Sequence, residues 1–189
     1  MSSLNDKFRQ LKKQILAGRE LDHASYEPIY YLIFSPKNIL EVRRHLPAWE
    51  TQLQKEGWKV YQFSIAKAID DILENASLMK IWISADKKDP SNWEKTNKSL
   101  GGYITDDALE NRLKAQLHEI EDVKNAILLV TDLEALHPYV RIGVIESGLI
   151  GEFKRPTVFL YPGESTGKTN LKFLGFYPED GNYRSVHIG

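Results

Sequence analysis

The chain has 189 residues, of which 42% are hydrophobic and 27% are charged. These values are typical of a globular domain and exclude a fibrous or disordered class. The 25 basic and 26 acidic residues nearly cancel, so the overall charge does not favour binding to nucleic acid or anionic lipid. The absence of cysteine excludes disulfides, thiolate zinc sites and cysteine nucleophiles.

The first residues, MSSLNDKFRQLKKQIL, are charged and helically periodic. They lack the apolar region of a signal peptide, and no later apolar run reaches about 18 residues. We therefore expect a cytoplasmic protein that forms a single domain over residues 1–189.

The N-terminal half alternates between helical and strand patterns. Residues 1–18 are predicted to form an amphipathic helix that ends at Gly18. The apolar run IYYLIF predicts a strand covered on both faces, and Ser35-Pro36 then opens a second helix. Pro47 should kink that helix before Gly57 ends it. WKVYQFS predicts the next strand, and the helical spacing resumes at Ile65.

The C-terminal half begins with a polar, turn-rich stretch at residues 84–102, which we predict to be a long surface loop. A helix should follow the acidic residues at 106–107, and AILLV at 126–130 predicts a buried strand. Another helix is expected from Pro138, with Val140, Val144 and Ile145 facing inward. PTVFLY predicts a fourth central strand.

The last segment, NLKFLGFYPEDGNYRSVHI, alternates around a Pro-Glu-Asp-Gly turn and predicts an antiparallel hairpin. Strands separated by helices favour a parallel sheet. The predicted fold class is therefore α/β, with a three-layer, mainly parallel sheet of about four strands, helices on both faces and a C-terminal antiparallel hairpin.

The segment after PTVFLY, PGESTGKT, resembles a phosphate-binding loop, GxxxxGK[ST]. Counting back from Gly167 gives Pro162 where glycine is needed, and counting from Gly163 leaves one residue too few. Such a loop must also lead into a helix, whereas Asn170 to Phe176 has strand-like composition. We therefore predict a turn between two strands.

The same segment contains G-x-S-x-G around Ser165, followed by Asp180 and His187 in the order of α/β-hydrolases. A nucleophile elbow also needs a following helix, and a terminal hairpin does not supply one. Asp132 ends an apolar strand as a magnesium ligand does in phosphate-loop enzymes, although a turn or cap is the more common role. The histidines have no metal-ligand spacing, so we expect no metal and no cofactor.

Basic residues on the first two predicted helices could together form a positive face for phosphate or an acidic partner, although a solvated helix surface is the default interpretation. These residues are Lys7, Arg9, Lys12, Lys13, Arg19, Arg43 and Arg44.

Several blocks of this sequence resemble the BrxB family of bacteriophage-exclusion proteins. The blocks are SPKNILEVRRHLPAWETQL, LLVTDLEALHPYVRIGVIESGL, RPTVFLYPGESTGKTNLKFLG and NYRSVHI, which together span most of residues 28–188. Their most specific residues include Arg43, Arg141, Tyr161-Pro162-Gly163 and Tyr183-Arg184. The sequence departs from the family pattern at Phe34-Ser35, where an acidic residue is usual, and in its short N-terminus.

The resemblance implies a small, non-catalytic component of BREX phage-defence systems. It further implies association with the alkaline-phosphatase-like PglZ component, and through it with the PglX methyltransferase. No catalytic residues come with the family.

Three hypotheses remain open from the sequence. The first is an adaptor that binds through the Arg43-Arg44 helix, the 84–102 segment or the C-terminal hairpin edge. The second is a nucleic-acid-binding module that uses the basic N-terminal residues with Trp93 and Arg141. The third is an NTPase or hydrolase that uses residues 163–169.

Arg141 and Arg184 are further expected to form structural ion pairs with a carboxylate such as Asp132 or Glu146, in preference to a binding role.

Overall fold

A computed structural model describes residues 3–20, 27–105, 107–166, 170–181 and 185–189. Within these ranges the helices are α1 (Leu4–Glu20), α2 (Ile39–Lys55), α3 (Ile65–Glu74), α4 (Met79–Lys88), α5 (Trp93–Thr105), α6 (Ala108–Ile120) and α7 (Ile142–Gly148). The strands are β1 (Ile29–Phe34), β2 (Lys59–Ser64), β3 (Ala126–Thr131), β4 (Thr157–Thr166), β5 (Asn170–Phe173), β6 (Glu179–Gly181) and β7 (Val186–Ile188). Short 3-10 helices span Pro36–Asn38 and Leu133–Leu136.

The main sheet has the strand order β2-β3-β4-β1-β7, and all of its neighbouring strands are parallel. Beyond Pro162, β4 leaves this arrangement and pairs antiparallel with β5, which in turn pairs antiparallel with β6. The predicted α/β class with a mainly parallel sheet is confirmed. The structure adds a fifth parallel strand, because β7 pairs with β1.

Helices cover both faces of the sheet. Every residue of β1 is buried, and successive side chains point to opposite faces. Tyr30, Leu32 and Phe34 pack with α1 and α2, whereas Ile29, Tyr31 and Ile33 pack with α3, α6 and α7. An apolar run without alternation is the pattern expected for such a central strand. The three-layer prediction is therefore confirmed.

The helix boundaries differ from the prediction at the N-terminus and agree with it at α2. Helix α1 continues to Glu20, so Gly18 is a residue of the helix rather than its cap. Helix α2 contains Pro47 and ends at Lys55. Gly57 follows with a φ of 87°, a left-handed backbone that glycine adopts without strain.

The predicted surface loop at residues 84–102 is wrong. The segment forms the end of α4 and most of α5, although many of its side chains are exposed. Trp82 holds the two helices together, because its indole Nε1 donates to Ser99 Oγ at 3.0 Å and its ring packs edge-on against Tyr103. This contact uses few apolar residues. The rest of the segment is polar, which is why its composition resembles that of a loop.

The helix predicted from Pro138 begins at Ile142 instead. The peptide bond between His137 and Pro138 is cis, and the amides of Tyr139 and Val140 both donate to the carbonyl of Leu136. Ile142 and Ile145, which lie one turn apart, are on the buried side of this helix. Ile145 is buried as predicted, but Val144 is exposed, so the inward prediction for Val144 is wrong.

The C-terminal antiparallel pair is β5 and β6, with its turn placed earlier than predicted. Leu174 and Gly175 have φ values of 52° and 76° and form the turn, whereas Glu179–Gly181, assigned to the turn from sequence, is strand β6. Asn170–Phe173 is a strand, as expected from its composition.

Candidate interaction surfaces and the cavity beside Tyr31

Arg43 on α2 connects that helix to the carboxyl ends of two strands. Its Nη2 lies 2.8 Å from both Asp132 Oδ1 and Glu134 Oε1. The other carboxylate oxygen of Asp132 accepts hydrogen bonds from Ser64 Oγ at 2.6 Å and Thr131 Oγ1 at 3.0 Å. Both oxygens of Asp132 are therefore engaged by protein groups, and the arrangement joins α2, β2 and β3.

Arg44 is exposed on the same helix, one turn after the exposed side chain of Leu40. It has no ion pair with any residue in the described part of the chain. Of the two arginines predicted from sequence as interaction candidates, Arg44 is the one that faces solvent without a carboxylate partner. Arg43 is half exposed, but it holds the structure together.

Arg141 precedes α7 and pairs with Asp180 on β6, with Nη1 2.5 Å from Oδ1. Its guanidinium also lies over the ring of Tyr177, 5.2 Å from the centroid. The expected structural ion pair exists, but the expected partners, Asp132 and Glu146, are wrong. Asp132 is occupied by Arg43, and Glu146 accepts a hydrogen bond from Tyr31.

A cavity of about 290 Å³ lies between α7, β1, β4 and the β5–β6 pair. Tyr31, Glu146, Tyr161, Arg141 and Asp180 contribute to its wall. Tyr31 and Glu146 are both buried, and the phenol of Tyr31 donates to Glu146 Oε2. This volume lies just below the range of roughly 300–1,000 Å³ found for ligand pockets, so the cavity is small for a nucleotide.

Tyr161, Pro162 and Gly163 are buried where β4 passes from the parallel sheet to its antiparallel extension. The ring of Tyr161 packs 5.5 Å from both Tyr31 and Phe173, measured between centroids. Burial raises the pKa of the Tyr161 hydroxyl, and the nearby Asp180 raises it further, so the hydroxyl stays neutral. These three residues, which belong to the blocks that resemble the BrxB family, are therefore part of the buried core. Tyr183 and Arg184 lie outside the described residues.

Residues 163–166 are part of β4 and pair with β5, while 167–169 lie outside the described residues. The next element, β5, is a strand, whereas a phosphate-binding loop and a nucleophile elbow both lead into a helix. Of the residues in the formal triad, Asp180 pairs with Arg141, and His187 Nε2 lies 3.0 Å from Ser185 Oγ. His187 Nδ1, the atom that the acid would hold, has no described partner.

The basic residues of α1 mostly have protein partners. Lys7 Nζ donates to the carbonyl of Ile33 at 2.9 Å, Arg9 pairs with Asp6 at 2.9 Å, and Lys12 pairs with Glu56 at 2.5 Å. Burial also lowers the pKa of Lys7. The predicted basic face is therefore largely neutralised, although Lys13 is exposed.

The α4–α5 pair carries exposed apolar side chains, of which the sequence interpretation singled out only Trp93. Ile81, Ile83 and Trp93 are 61%, 42% and 59% exposed. Residues 79–105 contain five lysines and three acidic residues, so this pair is also basic. The helical spacing of Trp82 from Leu78, and of Thr96, Ser99 and Tyr103, is the signal that would have indicated helices.

Among the described residues, no cluster of three or more His, Cys, Asp or Glu side chains is placed to hold a metal ion. No helix in the same ranges has both the length and the apolar character needed to cross a membrane.

The fold and these surfaces define a small α/β protein in which Arg43, Arg141 and Tyr161 hold elements together, with exposed apolar residues on a separate helical pair. The family model described as BREX protein BrxB matches residues 61–188. The chain belongs to the BrxB family and is a component of a BREX phage-defence system. No curated protein and no solved structure matches the chain.

Proposed function

We propose that this chain is a non-catalytic adaptor that binds larger enzymes of its BREX system. The partner implied by the family resemblance is a PglZ-like protein, through which the adaptor reaches a PglX-like methyltransferase. The observation that carries the proposal is the α4–α5 pair, which presents Ile81, Ile83 and Trp93 to solvent. Exposed apolar residues on one part of a surface are typical of a protein interface, and these three lie on two helices that pack against one another.

The charge of this pair favours an acidic partner surface. The five lysines of residues 79–105 exceed the acidic residues by two, although the whole chain has a net charge of -1. Tryptophan and isoleucine beside basic residues match the usual composition of an interface, with apolar anchors and a charged rim.

The test is a binding measurement with the purified PglZ-like protein of the same system. Replacing Ile81, Ile83 and Trp93 together by serine should weaken binding by about 100-fold, because buried apolar anchors contribute most of the affinity of an interface. Leu16→Ser is the matched control, since Leu16 is a similarly exposed apolar residue on α1. The control should bind as the wild type does.

Two results would contradict the adaptor proposal. One is a wild-type chain that does not bind the PglZ-like protein at about 10 μM. The other is a triple variant that binds as tightly as the Leu16→Ser control.

A nucleic-acid-binding module is the second candidate, because Trp93 could stack on a base beside the lysines of α4 and α5. Salt-dependent binding to single-stranded or duplex DNA that is lost in Trp93→Ser would support it. Affinity for the PglZ-like protein without affinity for DNA would favour the adaptor.

A further inference from the structure

The cavity beside Tyr31 contains a buried hydroxyl group that the protein itself does not bind. Tyr161 lines this cavity and is only 3% exposed. Its hydroxyl forms no hydrogen bond with any residue in the ranges that the structure describes. Buried side-chain polar groups nearly always have a partner, so a hydroxyl without one calls for an explanation.

The oxygen of Tyr161 adjoins open space rather than packed atoms. Within the described ranges, the only fully enclosed side-chain nitrogen or oxygen without a partner is His187 Nδ1. The oxygen of Tyr161 is therefore not fully enclosed, and the cavity is the space that its side chain lines. The hydroxyl stays neutral, so it can donate one hydrogen bond to a molecule in the cavity.

Arg141 brings a second set of donors to the same place. A guanidinium has five N–H groups, and among the described residues one of them is bonded, from Nη1 to Asp180 Oδ1. Both charges of this ion pair are close enough to Tyr161 to affect the pKa of its hydroxyl. The cavity wall therefore combines donors from Tyr161 and Arg141 with a carboxylate acceptor from Asp180.

The rest of the wall is largely apolar and partly aromatic. Besides the rings of Tyr31 and Tyr161, it includes Ile142, Ile150, Leu171 and Phe173. An apolar wall with a few converging polar groups is typical of a small-molecule site, and aromatic walls pack well against flat rings. The volume of about 290 Å³ is roughly twice that of an engineered apolar cavity of about 150 Å³ that holds benzene. The space therefore suits one ring or two fused rings.

The charges around the cavity favour a neutral molecule. The charged side chains described in its wall are those of Glu27, Glu146, Asp180 and Arg141. Three carboxylates and one guanidinium would repel an anion. A cation would lie against Arg141 and would leave the donors of Arg141 and Tyr161 without an acceptor. A neutral molecule with both an acceptor and a donor complements the wall without either penalty.

We propose that the cavity beside Tyr31 binds a small, neutral heterocycle of one ring or two fused rings, with a hydrogen-bond acceptor and a donor on one edge. The acceptor receives hydrogen bonds from Tyr161 and Arg141, and the donor bonds to Asp180. The site is separate from the α4–α5 surface and does not depend on the adaptor function.

Probes of similar shape and different charge test the class of ligand. Carbostyril is a neutral fused-ring molecule with a carbonyl beside an N–H, naphthoate is an anion, and naphthylmethylammonium is a cation. Carbostyril should bind the full chain with a Kd below about 1 mM, and each charged probe about 10-fold more weakly. In heteronuclear NMR spectra, carbostyril should shift the amides of Gly143 and Gly181, which line the cavity, and leave those of β2 unchanged.

Tyr161→Phe removes only the hydroxyl and keeps the ring packing. We expect it to bind carbostyril about 5-fold more weakly, because one hydrogen bond is lost. Its melting temperature should be unchanged or higher, because no hydrogen bond within the protein is lost. Tyr61→Phe is the matched control, since Tyr61 is half-buried on β2, at the far edge of the sheet from the cavity. The control should bind carbostyril as the wild type does.

Four results would overturn the proposal. No probe binds at about 1 mM, in which case the cavity holds only solvent. A charged probe binds as tightly as carbostyril, or Tyr161→Phe binds carbostyril within about 2-fold of Tyr61→Phe. Lastly, a marked decrease in the melting temperature of Tyr161→Phe would show that the hydroxyl already has a partner in the protein. None of these results bears on the binding of the PglZ-like protein to α4–α5.

Discussion

Position 163 has no room for any side chain, so only glycine fits there. A Cβ at this position would lie 2.4 Å from the carbonyl oxygen of Lys172 and 2.5 Å from Cε1 of Tyr161. The Lys172 atom belongs to the backbone of the paired strand β5, so it cannot move without disturbing the pairing. A glycine is therefore required for steric reasons, independently of any loop that binds phosphate.

We expect Gly163→Ala to lower the free energy of unfolding by about 1–3 kcal/mol, the usual cost of an overpacked site. The control is Gly102→Ala in α5, where a Cβ would contact nothing within 4 Å. Alanine is the better helix former, so this variant should gain up to about 1 kcal/mol. Denaturant unfolding of both variants provides the measurement, and equal effects would contradict the steric argument.

His187 on β7 is a half-buried titratable residue. Its ring packs edge-on against Tyr31, with 5.6 Å between centroids, and burial lowers its pKa. The unfolded chain therefore takes up the proton at a higher pH than the folded protein. The stability contributed by the neutral imidazole is fully present above the unfolded pKa of about 6.5 and decreases as the pH falls below it.

The melting temperature should accordingly decrease when the pH is lowered from about 7.5 to about 5.5. His187→Gln cannot take up a proton, so it should show a smaller decrease over the same interval. Thermal melts at a series of pH values provide the comparison. If the two proteins lose stability in parallel, His187 is not the group responsible.

At the scale of elements, composition predicted the central strands and failed for α4 and α5. An apolar run such as IYYLIF has few alternatives to a buried strand, and β1 has these bounds. Helix α4 packs mainly on α5, which in turn packs on α3 and α6, and few residues of the two helices are buried. Their polar composition therefore resembles that of a loop, and the periodic signal rests on Trp82 and a few residues of α5.

Trp82 is the contact on which this helical pair depends. We expect Trp82→Ala to open α4 and α5 locally while the sheet stays folded, because the buried ring and its hydrogen bond to Ser99 are both lost. Amide hydrogen exchange should become faster in α4 while β3 remains protected. Trp93→Ala is the control, since its ring is exposed and its loss should leave exchange in α4 unchanged.

At the scale of the whole molecule, alternating strands and helices were enough to predict a parallel three-layer sheet. The strand order was not predictable in this way, because it depends on which strands meet after long crossovers. Contacts between residues far apart in the chain were therefore not predictable either, and the ion pair of Arg141 is an example. Its carboxylate partner, Asp180, comes from a strand whose position depends on β4 and β5, so local sequence gave no means of choosing it over Asp132 or Glu146.

The sheet is shared by two hydrophobic layers, and we expect the layers to unfold together. Leu11 is buried in the layer of α1 and α2, and Leu113 in the layer of α3 and α6. Leu11→Ala and Leu113→Ala should each cost about 2–5 kcal/mol and retain a single unfolding transition. Tryptophan fluorescence and far-ultraviolet circular dichroism should give coincident curves. Separate transitions would show that the layers are independent.

The pairing of β1 has a consequence for how the protein is made. Its two neighbours, β4 and β7, are Thr157–Thr166 and Val186–Ile188, far later in the chain. During synthesis, β2 and β3 can meet while both edges of β1 still lack their partners. An incomplete product that stops after β3 would thus expose an apolar, uncharged six-residue strand, which is the kind of segment that aggregates. Ribosome stalling late in the coding sequence should therefore yield insoluble rather than merely inactive fragments.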